Sequence, residues 1–74
     1  MVGGWIIQIA DTAPGVTELW CVDRDGAETA VRVRTEPAMP LLGDEVWWQS
    51  GKVYWDNDRR VLAKVGNSYA KDLQ

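Results

Sequence analysis

Turn-forming residues recur roughly every 8–12 positions along this chain, a spacing that leaves room for short strands and almost none for helices. Pro14-Gly15, Asp25-Gly26, the prolines Pro37 and Pro40, Ser50-Gly51 and Gly66-Asn67 punctuate it. Each favours a positive φ, lacks a backbone N–H, or competes with regular structure for hydrogen bonds. Val, Ile and Thr, whose branched side chains suit a pleated surface, supply 16 of the 74 residues. The expectation is an all-β domain.

The first strand is expected over residues 5–9, with Trp5, Ile7 and Ile9 on one face and Ile6 and Gln8 on the other. A second runs over residues 17–23 into Asp23-Arg24-Asp25-Gly26, which suits a type I turn with a following bulge. That bulge would put Leu19 and Cys21 inside, whereas a strict two-residue turn would choose Trp20 and Val22. Residues 28–34 form the third strand, where Thr29, Val31 and Val33 alternate with Ala30, Arg32 and Arg34. The connector Glu36-Pro37-Ala38-Met39-Pro40 cannot be a central strand, and Leu41 and Leu42 are expected to plug one open end. With Ser50-Gly51 as a two-residue turn, Val46 pairs with Trp55, Trp47 with Tyr54, Trp48 with Val53 and Gln49 with Lys52. Val46, Trp48, Val53 and Trp55 then share the core face, while Trp47 and Tyr54 point away from it. Asp56-Asn57-Asp58-Arg59 makes a further turn, residues 60–65 the last substantial strand, and residues 69–74 a tail or short closing segment. Five or six antiparallel strands in one domain spanning residues 1–74 predict a small SH3-like barrel, with an OB-like barrel or a flat meander as alternatives.

Composition enters where function is at issue. There is no His and a single cysteine, Cys21, which removes disulfide frameworks, His-based catalysis and His-containing zinc sites. Cys21 has no base to activate it and is expected to pack as a small hydrophobe. The carboxylates of Asp23-Arg24-Asp25-Gly26 and Asp56-Asn57-Asp58 lack the bidentate Glu of a calcium loop, and turn chemistry accounts for both. Neither metal nor cofactor is expected, and no enzyme. The net charge of −3 opposes nucleic-acid coating, and no apolar run approaches the roughly 20 residues that span a bilayer. The expected setting is the cytoplasm. Five Trp and no Phe make up most of the aromatic content, so that either stability is modest or part of the aromatic surface is buried against a second copy or a partner.

Gly43-Asp44-Glu45-Val46-Trp47-Trp48-Gln49, then Tyr54-Trp55, Asp58-Arg59 and Val65-Gly66-Asn67-Ser68-Tyr69, resembles a pattern in short accessory proteins of tailed phages and prophages of Gram-negative bacteria. The resemblance covers little more than the C-terminal third and implies a phage accessory context without catalytic residues. The residues themselves favour a protein-interaction surface built on Trp47 and Tyr54 with Gln49 and Lys52 as its polar rim, open to self-association. One alternative is a nucleic-acid-binding barrel using Arg32 and Arg34 beside the exposed aromatics. Another is a structural subunit of a virion.

Overall fold

The computed structural model describes residues 1–49, 51–56 and 59–65. Its strands are β1 (Val2–Ala13), β2 (Val16–Asp23), β3 (Glu28–Arg34), β4 (Glu45–Gln49), β5 (Lys52–Trp55) and β6 (Arg60–Ala63). All pair antiparallel in one six-stranded sheet of order β3-β2-β1-β4-β5-β6. The order β4-β1-β2-β3 within it is a Greek key: three hairpin-connected strands, then a long connection that returns the fourth beside the first. Among the described residues no helix is long and apolar enough to cross a membrane.

The β2–β3 turn takes the bulged form. Asp23 N–H donates to the Ala27 carbonyl at 2.9 Å, and Gly26 N–H donates to the Asp23 carbonyl at 3.1 Å. Gly26 sits at φ +87°, and the Asp23 carboxylate accepts from the N–H groups of Asp25 and Ala27. That geometry settles the second strand: Leu19 and Cys21 are fully buried, and Trp20 and Val22 lie on the opposite face. β3 has the expected bounds, and of the alternating set Thr29, Val31 and Val33 the two valines are buried while Thr29 is exposed at the strand's start. The β4–β5 register matches the expected pairs from Val46↔Trp55 to Gln49↔Lys52.

The first strand departs from expectation. It runs from Val2 to Ala13, and a bulge between Ile6 and Gln8 shifts its register against β2. Ile6 is the core residue, 1% exposed, whereas Ile7 and Ile9 are exposed. Gly4 is required where β1 passes β2, because a Cβ there would run into the Val22 carbonyl and the Asp23 backbone. Leu41 and Leu42 do not plug the sheet: they are 69% and 64% exposed. Pro40 is buried and Met39 packs on the core in their place. The turn at residues 41–44 turns both leucines out, held by Leu41 N–H on Asp44 Oδ2 at 2.8 Å and Asp44 N–H on the Leu41 carbonyl at 3.0 Å.

Ile6, Leu19, Cys21, Val31, Val33, Val46, Trp48, Val53 and Leu62 form the core, with Trp55 only partly buried at its margin. Among the described residues the sheet curls around them without a closing ladder. Its edge strands β3 and β6 meet at one isolated bridge, Val33↔Lys64, beside which Val65 N–H donates to the Arg32 carbonyl at 3.0 Å. Gly66, Asn67, Ser68 and residues 69–74 lie outside the described residues, and with them the tail.

Candidate functional site

The outer face of the sheet carries the site. Side chains of directly paired residues share a face, so the pairs Trp47↔Tyr54, Gly3↔Trp47, Trp5↔Glu45, Trp5↔Val22 and Gln8↔Trp20 all lie opposite the core. Trp20 on β2, Trp5 on β1, Trp47 on β4 and Tyr54 on β5 therefore form a diagonal aromatic band across four adjacent strands. Every member is half-buried. Trp48 and Trp55 lie on the opposite side, in and beside the core.

The band is held in place by its neighbours. Trp47 lies against Gly3, where an added Cβ would stand only 3.0 Å from the indole Cδ1. Gln49 Nε2 donates to the Tyr54 hydroxyl at 3.0 Å, and Lys52 is exposed opposite Gln49. The expected set Trp47, Tyr54, Gln49 and Lys52 is thus brought together on one hairpin. Trp5 and Trp20 extend it, and the sequence hid them because they join it through the β1–β4 pairing and the bulged register of β1 with β2. Trp20 Nε1 donates to Glu18 Oε1 at 2.8 Å. The Arg24 guanidinium lies over Trp5, 4.9 Å from the ring centroid, and bonds Glu45 Oε2 at 2.8 Å.

Arg32 and Arg34 stand on the same face on β3, with two strands, β2 and β1, between them and β4. Arg32 Nε bonds Glu18 Oε2 at 3.0 Å with both side chains largely buried, so its charge is locally balanced. Arg34 is exposed.

A cleft of about 220 Å³ opens beside Trp47, where β4 begins and β5 ends, lined by Asp44, Glu45, Trp47, Trp55 and Asp56. A wider one of about 480 Å³ lies between Glu36-Pro37-Ala38 and Arg60-Val61-Leu62, with Trp55 in its wall. Among the described residues no three His, Cys, Asp or Glu side chains are placed to hold a metal ion. Cys21 is buried, and desolvation pushes its thiol up to about 11, away from the thiolate a nucleophile needs. Comparison of the chain with protein-family models, curated proteins and solved structures finds no match.

Proposed function

We propose that this chain is a non-enzymatic protein-interaction module of the phage and prophage accessory type, acting in the cytoplasm through its outer aromatic band and open to self-association. The observation that supports the reading is the band itself. Three Trp and one Tyr are held half-exposed on one face by a glycine, a hydrogen bond and an ion pair, when a core that is aliphatic but for Trp48 and Cys21 already fills the other. Aromatic area left in water is unfavourable, and Trp and Tyr are the residue types that dominate binding hot spots. Its scaffold we take to be a small, partly open barrel. The Greek-key order supports the OB-like form over the SH3-like one.

Replacing Trp47 and Tyr54 together with Ser tests the reading. Wild type should show a solution mass that rises with concentration in light scattering, and the double variant should lose that rise while keeping a cooperative melt. A variant that loses stability, beside a wild type that stays monomeric throughout, would make the pair part of the fold and the interface reading wrong.

A second reading, a nucleic-acid binder, draws on the same Greek-key order and on exposed Arg34 beside the aromatic face. The Glu18 partner of Arg32 and the net charge of −3 weigh against it.

A further inference from the structure

We propose that the cleft lined by Asp44, Glu45, Trp47, Trp55 and Asp56 takes the guanidinium of an arginine presented by a basic segment of a partner protein. The proposal rests on the interaction reading above and says what the band recognises.

The molecule already builds this kind of contact twice at the border of the cleft. Arg24 stacks over Trp5 and is gripped by Glu45. Arg60 lies 5.5 Å from the Trp55 centroid, with its Nε 3.6 Å from Asp56 Oδ2. Trp47 is the third indole at this end, and no described arginine or lysine stacks on it. Three carboxylates line the cleft against two resident guanidiniums, which leaves one negative charge in excess. Among the described residues each carboxylate makes its contact through one oxygen: Asp44 bonds Leu41 N–H through Oδ2, Glu45 bonds Arg24 through Oε2, and Asp56 meets Arg60 through Oδ2.

Size and spacing narrow the occupant. About 220 Å³ is below the roughly 300–1,000 Å³ of pockets for drug-sized ligands, but suits the end of one side chain. The carboxylates are too dispersed to ligate a single metal ion. A planar, weakly hydrated guanidinium stacks on an indole and donates from its edges to two carboxylates, which an ammonium does less well. The acidic net charge steers basic chains toward the protein.

The test is a titration of the full ¹⁵N-labelled chain at low salt with acetyl-Gly-Arg-Gly-amide, against the same peptide carrying Lys or Gln. The arginine peptide should shift the Trp47 and Trp55 indole N–H signals saturably in the millimolar range, and the glutamine peptide should not. The lysine peptide should bind more weakly than the arginine one. Raising salt from about 20 to 150 mM should weaken binding about threefold or more, as screening of exposed charge requires. Asp44→Asn/Asp56→Asn should weaken it about tenfold, the effect of losing two of three charges. Asn keeps an acceptor for Leu41 N–H and tolerates the φ of +55° at Asp56, so both turns survive. Arginine and glutamine peptides acting alike, shifts confined to other residues, or an Asn variant that binds as wild type does would overturn the proposal. The comparisons among peptides and salts need no variant. If Trp47→Ser/Tyr54→Ser loses association while the arginine peptide leaves wild type unmoved, the aromatic surface stands and the arginine site falls.

Discussion

Trp48 shows what one residue carries in a core this small. It is 8% exposed, paired with Val53, and the largest side chain among the nine core residues. Trp48→Ala removes its burial and leaves a void that short strands cannot collapse around, so we expect a loss of about 3–5 kcal/mol. A denaturant midpoint within error of wild type would mean that the hairpin does not face the core as described. Cys21 acts in the opposite sense, through what it does not do. Its thiol is fully buried and holds its proton to about pH 11 against an ordinary value of 9.0. The folded state therefore binds that proton more tightly than the unfolded one. Stability is unaffected below pH 9 and is lost as pH rises from 9 to 11, by on the order of 2–3 kcal/mol. Unfolding of wild type and Cys21→Ala should show curves that converge across that window. Curves that stay parallel would place the thiol in contact with water.

Strands explain what residues alone do not. β1 is the central strand, paired with β2 on one side and β4 on the other, and its two glycines do different work. At Gly4 the obstacle to a Cβ is the backbone of β2, which cannot move without breaking the ladder. At Gly3 it is the Trp47 ring, a side chain free to shift by a few tenths of an ångström. Gly4→Ala should accordingly destabilise by about 1–3 kcal/mol, and Gly3→Ala by clearly less while changing the Trp47 environment. Equal thermal shifts for the two would mean that β1 and β2 approach each other less closely than the register requires. The bulge after Ile6 is the other device of this strand. It returns Ile9 to the side of Leu19 at the rim and puts Trp20 level with Gln8 on the outer face, where it joins the aromatic band.

For the whole molecule, charge separates the two functional readings. The arginines on and beside the aromatic band are held by carboxylates: Arg24 is tied to Glu45, Arg32 to Glu18 and Arg60 to Asp56. Binding to nucleic acid gains mainly from counterion release at many cationic contacts, and an acidic chain with paired arginines offers few. No salt-sensitive binding to single- or double-stranded oligonucleotides is expected at physiological ionic strength. Micromolar affinity that falls steeply with salt, and falls again in Arg32→Ala/Arg34→Ala, would reverse the ranking.

Local rules were enough for part of this molecule. The β4–β5 register, the inward valines of β3 and the exclusion of helices were legible because each depends on a turn and a period of two within about ten residues. The pair at the heart of the candidate site, Trp47 and Tyr54, was legible for the same reason. The choice between Leu19 and Trp20 stayed open in the sequence, since both faces of that strand are apolar, and hydrogen bonding at Gly26 decided it. β1 was misread for a related cause: strict alternation groups Trp5 with Ile9 and Ile6 with Gln8, and the bulge after Ile6 instead puts Trp5 with Gln8 and Ile6 with Ile9. Leu41 and Leu42 looked like core residues, yet the Asp44 turn points them outward and Pro40 fills the space. Trp5 and Trp20 became part of the site only through pairing of β1 with β4, residues some forty positions apart, and through the bulged pairing of β1 with β2. Such pairing is set by how the whole sheet buries its one core, which no neighbouring residues encode.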